Sequence, residues 1–163
     1  MGPAVSGIDT NRGMTRVALR PVQPEDSRRV WTWRNDPATR HASFNSAPIP
    51  LHVHEAWFQE SLGRIDRRLY IVLADEVESG VARLDISGRE AEVSIHLERE
   101  GRGRGVGTAA LRALADLAFG SLALERLVAR VKAGNRASQN AFLAAGFIVE
   151  HEGQVVQLIR VRP

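Results

Sequence analysis

The residues with the clearest chemical potential form the run Arg102-Gly103-Arg104-Gly105-Val106-Gly107-Thr108. Glycines and arginines alternate, then open into Ala109-Ala110-Leu111-Arg112-Ala113-Leu114. Val106, Ala110, Leu114 and Leu117 recur at spacings of three or four, and Leu111 and Ala118 widen the stripe, which predicts an amphipathic helix. A glycine loop feeding a helix N-terminus binds anions. Bare N–H groups leave the first turn, the helix dipole adds partial positive charge, and glycine lets a phosphate approach the backbone. Spacing narrows the choice. The dinucleotide pattern G-x-G-x-x-G fails, because its third glycine would fall on Val106 or on Thr108. A P-loop fails for want of a Lys-Ser or Lys-Thr pair after the glycines. What remains is Arg-x-x-Gly-x-Gly in Arg102, Gly105 and Gly107. Taken alone, the run also reads as a solvated basic turn before an ordinary helix.

Proton-transfer groups lie just upstream. Ala91 to Leu97 alternates like a strand, so Glu92, Ser94 and His96 share one face and Val93, Ile95 and Leu97 the other. If the hairpin before it closes with Gly88-Arg89 as a two-residue loop, Asp85 faces Glu92 and Arg83 faces Ser94. Two facing carboxylates raise one pKa, which suits a base working near neutrality. Glu92 also reads as a solvated strand carboxylate, and His96 as a structural histidine.

A third segment runs from Asn135-Arg136-Ala137-Ser138-Gln139-Asn140 to Ala145-Gly146-Phe147, after the apolar strand Leu127 to Val131. Asn135 can cap a helix, Ala137 to Ala145 favour one, and Gly146 suits a left-handed end. This segment and the Arg102–Thr108 loop, in this order and separation, resemble the two signature motifs of the GNAT superfamily of acetyl-CoA-dependent N-acetyltransferases. The resemblance covers roughly Val17 to Val161. It implies acetyl-CoA as co-substrate, with the pyrophosphate held by Arg102, Arg104 and the amides of Gly103, Gly105, Val106, Gly107 and Thr108. It implies pantetheine pairing with the backbone of His96 and Leu97, and Asn135 and Asn140 facing the pantetheine arm and the nucleotide end. Glu92 stands where several members carry a catalytic glutamate, and His96 is the alternative base. Members commonly place a tyrosine four residues before the helix-ending glycine. Here that residue is Phe142, and the sole tyrosine, Tyr70, sits on a central strand, so water or Ser138 is left to protect the thiolate. With no cysteine there is no cysteine-linked acyl-enzyme, which implies direct attack by an amine in a ternary complex. A non-catalytic acyl-CoA-binding module is the other reading, and Phe142 is the feature that favours it.

The front of the chain carries the acceptor reading. Trp33-Arg34-Asn35-Asp36-Pro37, then Arg40 and Phe44-Asn45, read either as a helix end with surface polar groups or as a wall for planar or anionic ligands. With Pro48-Ile49 and His54-x-x-Trp57-Phe58, these residues resemble the N-acetyltransferases that act on nucleotide-linked amino sugars in the pseudaminic acid pathway, and next the ribosomal-protein N-terminal acetyltransferases. The resemblance implies a small-molecule amine acceptor, a nucleotide-linked sugar, bound by Trp33, Arg34, Asn35, Arg40, Asn45 and Asp85. The alternative acceptor is a protein N-terminus.

The elements that must position these groups follow from patterning. Strands are expected at Arg16–Arg20, Leu69–Ala74, Val81–Ile86, Ala91–Leu97, Leu127–Val131, Phe147–Glu150 and Val155–Val161. Helices are expected from Pro24 to about Asn35, from Pro50 to Leu62, after Gly105, and up to Ala145. That order predicts an α+β chain. As the GNAT resemblance implies, its mostly antiparallel sheet splays between the fourth and fifth strands, with helices on both faces. Residues 1–14 lack periodicity and are expected as a flexible leader, with one domain over 15–163. The 163 residues carry a net charge of +3 and no cysteine, and Lys132 is the sole lysine. No basic run interleaved with aromatics suggests nucleic acid, and no apolar stretch suggests a membrane span. His52 and His54 share no helix face, so no metal is expected. A cytoplasmic protein, monomeric or homodimeric, is the expectation.

Overall fold

A computed structural model describes residues 15–163. The expected leader, 1–14, lies outside the described residues. Strand β1 (Val17–Pro21) leads through a 3-10 turn, Pro24–Asp26, into helix α1 (Ser27–Asn35). The helix starts later than its proline suggests because Asp26 folds back. Its carboxylate accepts from Gln23 N at 2.7 Å and pairs with Arg20 at 2.8 Å, and Arg20 holds it below the usual carboxylate range.

A short helix that periodicity does not predict follows, α2 (Pro37–Ala42). The residue before a proline resists helix, which ends α1. The same Asp-Pro pair also starts a helix: Asp36 accepts from Thr39 N at 3.3 Å and Pro37 takes the first position. Helix α3 (Leu51–Leu62) completes this layer.

Strands β2 (Arg67–Ala74), β3 (Val77–Ser87) and β4 (Glu90–Leu97) form an antiparallel meander. The β3–β4 hairpin closes on Gly88-Arg89, with Gly88 at φ +61°, so Asp85 faces Glu92 and Arg83 faces Ser94 as expected. Helix α4 (Val106–Phe119), strand β5 (Arg126–Lys132), helix α5 (Arg136–Ala144) and the hairpin β6 (Ile148–His151) and β7 (Val155–Val161) follow. The seven strands lie in the order β1-β2-β3-β4-β5-β7-β6, and only β4 and β5 run parallel. This is the expected mixed architecture.

Two cores flank the sheet. Leu69, Ile71 and Val81 pack with Val30, Trp33 and Phe58 under α1 and α3. On the other face Val72, Leu84, Val93, Leu127 and Leu158 pack with Leu111 and Leu114 of α4 and Phe142 of α5. Leu111 and Leu114 are almost fully enclosed, and truncating such a leucine costs about 2–5 kcal/mol. Helix α4 is thus fixed to the sheet, and so are the amides at its start.

Candidate active site

β4 and β5 pair only through Glu90–Glu92 against Arg126–Val128. Beyond that point they diverge, and the wedge opens into a cavity of about 660 Å³. Ile95, His96 and Leu97 line one wall, α5 with Asn135, Ser138 and Asn140 the other, and Gly103, Gly105, Gly107 and Thr108 the end. Gly103 and Gly105 take φ of +76° and +74°, where a side chain is strained, and a Cβ at either would meet nothing within 4 Å. No side chain caps the first turn of α4, so its amides are left for a ligand. Backbone geometry and open space together suit a pyrophosphate, and the flared wedge suits an extended chain laid along β4.

The loop differs from expectation in its side chains. Arg102 lines the cavity, but its guanidinium is turned inward. Nε and Nη2 donate to Leu97 O at 3.2 and 3.0 Å, and Nη2 also reaches Asp36 Oδ2 at 3.1 Å and Thr39 Oγ1 at 3.0 Å. Arg102 ties the loop to β4 and α2 instead of reaching outward for phosphate. Val106 is buried in the core and offers only its amide. Arg104 is exposed at the rim, outside the cavity lining.

A second cavity, of about 280 Å³, meets the first. Ile95, His96, Asn135 and Ser138 line both. The second is walled by Arg34, Arg40, Arg83 and Arg130, with Phe44, Asn45, Ser94 and Phe142. No carboxylate lines either cavity among the described residues. Arg83 and Arg130 have partners outside it, Asp85 at 2.9 Å and Glu92 at 2.8 Å. Among the described residues Arg34 and Arg40 meet only neutral acceptors: His54 Nδ1 at 3.1 Å for Arg34, and the carbonyls of Asn35 and Ser46 at 3.1 and 3.3 Å for Arg40. Burial, then Arg83 and Arg67, lower the Arg34 guanidinium to about 10, so it stays charged at neutral pH. At the junction, burial and the positive charges of Arg83, Arg34 and Arg102 push the His96 imidazole down to about 4. It is unprotonated near neutrality.

Several expected site residues lie elsewhere. Glu92 lies at the last parallel pair, before the splay opens. It lines neither cavity but a separate charged shelf that it shares with Asp85, Arg67 and Arg130. The two carboxylates face across the hairpin, yet each is taken by guanidinium: Asp85 by Arg67 and Arg83, both at 2.9 Å, and Glu92 by Arg130. The repulsion expected of two bare carboxylates is therefore neutralised. Trp33 turns into the core and is 7% exposed, because the inner face of α1 must cover Leu69 and Ile71. Asn35 is consumed as a clamp, donating to Ile49 O at 2.8 Å and accepting from Ile49 N at 2.7 Å. That clamp, with Trp31 Nε1 donating to Ile49 O at 2.7 Å, holds the segment carrying Phe44 and Asn45 against α1. Asn45 lines the second cavity and accepts from Ala47 N at 3.1 Å. Asn135 caps α5 by accepting from Ser138 N at 3.2 Å.

Sequence reasoning did not place Arg83 and Arg130 in a cavity lining, although period two does put them on the His96 face of their strands. It also missed α2, which separates the two cavities. Thr39 and Ala38 line the first, Arg40 the second, and Ala42 both. Asp36 at its start binds Arg102 and Arg99, and Lys132 Nζ, at the end of β5, donates to His41 O at 2.9 Å. The helix thus bridges the two sides of the splay. Gly80 was also missed: a Cβ there would overlap the His96 carbonyl, so only glycine lets β3 pass so close behind the junction. Among the described residues no group of three or more metal-ligating side chains occurs, and no helix is long and apolar enough to cross a membrane.

A family model for the acetyltransferase (GNAT) domain matches residues 16–148, most of the chain. The chain belongs to the GNAT acetyltransferase family. As a member it is an N-acetyltransferase with acetyl-CoA as its co-substrate. No curated protein sequence matches it. Solved structures share the GNAT fold at low identity. A spermidine N-acetyltransferase from Vibrio cholerae, in complex with CoA and spermine, aligns at TM-score 0.81 and 19% identity over 89% of this chain and 95% of that one. An aminoglycoside acetyltransferase in complex with coenzyme A and kanamycin aligns at 0.80 and 19%, over 90% and 95%. A domain from Methanocaldococcus jannaschii aligns at 0.79 and 17%, over 91% and 99%. At these identities the likeness speaks to the fold and leaves the acceptor open.

Proposed function

We propose that this N-acetyltransferase acts on the primary amine of an anionic small molecule, a nucleotide-linked amino sugar, by direct attack in a ternary complex. The observation that carries this reading is the lining of the second cavity: among the described residues it has four guanidiniums, two of them without a carboxylate partner, and no acid facing in. Spermine and kanamycin, the ligands of two structural relatives, are polycations, and a polycation needs carboxylates where this chain has arginine. A nucleotide-linked sugar offers a pyrophosphate for Arg34 and Arg83, hydroxyls for Asn45 and Ser94, and a base that can stack on the exposed Phe44.

The catalytic division follows from the junction. The thioester lies along β4 in the first cavity and the amine enters from the second, so the reacting atoms meet beside His96 and Ser138. The amine attacks in its neutral form: its nitrogen bonds to the carbonyl carbon and the carbon–sulfur bond breaks. His96, unprotonated, takes the proton that the nitrogen sheds as it bonds, and Ser138 or water supplies one to the departing sulfur. Phe142, packed edge-on against Phe147 at 5.0 Å, has no hydroxyl for that task. Arg130 is oriented by Glu92 and serves the acceptor, while Asp85 holds Arg83.

The test is CoA-thiol release with a panel of amines. Turnover of a nucleotide-linked amino sugar, with none of spermidine or kanamycin, is expected. Efficient acetylation of N-terminal peptides with no sugar-nucleotide turnover would overturn the acceptor reading in favour of a protein substrate. No turnover of any amine with intact CoA binding would favour a non-catalytic module.

A further inference from the structure

His54 is fully buried, yet it belongs to neither cavity. Its ring is held at both nitrogens: Nε2 lies 2.8 Å from Ser27 O and Nδ1 lies 3.1 Å from Arg34 Nη1. A carbonyl can only accept, so Nε2 carries the proton. A guanidinium can only donate, so Nδ1 is the bare nitrogen. The two contacts therefore select one tautomer of the neutral ring. Trp57, one turn along α3, presents its face to the same guanidinium, with Arg34 Cζ 4.3 Å from the ring centroid. Arg34 thus has an acceptor on one side and an aromatic face on another, and it lines the second cavity. Among the described residues it engages no carboxylate, so no ion pair cancels its charge where a ligand would meet it.

We infer that His54 is a positioning residue for acceptor selection: its Nδ1 lone pair, with Trp57, holds the Arg34 guanidinium facing the second cavity as a socket for an acceptor's phosphate or carboxylate. This rests on the reading of that cavity as the acceptor site. A carboxylate in place of His54 would fix Arg34 as firmly but cancel the charge it offers. A neutral imidazole fixes it without cancelling.

Two measurements test it. Nitrogen-15 NMR of the histidine rings should show His54 as the Nε2–H tautomer at neutral pH, with Nδ1 shifting when Arg34→Met removes its donor. An Nδ1–H tautomer, or no response to Arg34→Met, overturns the inference whatever the substrate. The second measurement is calorimetric binding of UDP, as an anionic probe, to protein saturated with CoA. In His54→Asn the side-chain oxygen takes about the place of Nδ1. In His54→Gln the amide reaches Ser27 O but leaves Arg34 unpartnered. Loss of one charged hydrogen bond predicts about tenfold weaker UDP binding for His54→Gln, and little change for His54→Asn. CoA affinity should hold in both. Equal loss in both variants, in step with their melting temperatures, marks His54 as merely structural and overturns the inference. Should UDP fail to bind the wild-type protein while the NMR result stands, the acceptor reading falls and the His54–Arg34 link remains.

Discussion

At the residue scale, the site divides between groups held by backbone and groups held by partners. Gly105 belongs to the first kind. Its φ of +74° strains any side chain, and the space above it is open for a pyrophosphate. Gly105→Val should weaken CoA binding by at least about tenfold, or roughly 1.4 kcal/mol, while the fold persists. Calorimetry on the folded variant checks this, and unchanged affinity refutes the loop assignment. His96 and Glu92 form the second contrast. Period two rightly put both on one face of β4, but it carries no information on where the sheet splits. Glu92 lies before the split and His96 beyond it. His96→Gln should therefore lower kcat by about 10²–10⁴-fold with acetyl-CoA affinity intact. Glu92→Gln, which frees Arg130, should act mainly on the acceptor KM. A large kcat loss in Glu92→Gln alone would return the base to Glu92.

At the element scale, most of the fold was legible because its strands and long helices carry strong periodicity. The glycine loop and the asparagine cap were legible because backbone geometry demands those residues there. The acceptor wall was harder to read. Trp33 and Asn35 have the chemistry of ligand-binding residues but are spent on packing and on clamping Ile49. Which face of α1 turns inward depends on strands that come later in the chain. Helix α2 has only six residues, too short for a periodic signal, and its evidence was one capping pair. Its place across the splay makes it the link between the two cavities. Asp36 binds Arg102 and Arg99 from its start; burial pushes its carboxyl up, but the Arg102 and Thr39 hydrogen bonds and the charges of Arg102 and Arg99 together hold it below its usual range. Asp36→Asn keeps a good cap but removes the charge and turns the oxygen that meets Arg99 into a donor. Partly exposed ion pairs contribute about 0.2–1 kcal/mol each, so the melting temperature should barely move. Hydrogen exchange over 37–42 should quicken a few-fold, and the KM values for acetyl-CoA and acceptor should rise together. A rise in only one of them would mean that α2 does not join the two cavities.

At the scale of the whole molecule, arginine and carboxylate are unevenly sorted. The periphery is paired, as in Arg20 with Asp26, Arg64 with Asp66, and Arg126 with Glu90 and Glu150. The cleft keeps its positive charge, and the two histidines that feel it, His54 and His96, both titrate below an ordinary imidazole. Both folded-state values lie below the unfolded one, so between them the unfolded chain binds protons that the native protein refuses. Stability should then rise as pH climbs from about 4 toward about 6.5, the unreacted imidazole value, and gain nothing more from these groups above it. The paired carboxylates act lower: Asp66, held to about 2 by Arg64, contributes stability that is lost only as pH falls below the ordinary carboxylate range. A melting-temperature series should show the climb in the wild type and a shallower one in His96→Gln.

The same charge distribution links acceptor binding to the base. Burial, then the charges of Arg83 and Arg34, hold His96 near 4, and in the proposed reading these two arginines receive the acceptor's anion. An anion placed there cancels part of the field that keeps a proton off His96, so His96 becomes more basic when the acceptor is bound. The pH dependence of kcat/KM reports the free enzyme and that of kcat reports the complex. The acid limb of kcat/KM should therefore fall near pH 4. The acid limb of kcat should lie at higher pH, closer to an ordinary imidazole. Both limbs should vanish in His96→Gln. In Arg83→Met, with one guanidinium removed, the kcat/KM limb should move up toward the kcat limb. Coincident limbs in the wild-type enzyme would mean that the acceptor brings no negative charge to these arginines, and the anionic acceptor would be excluded.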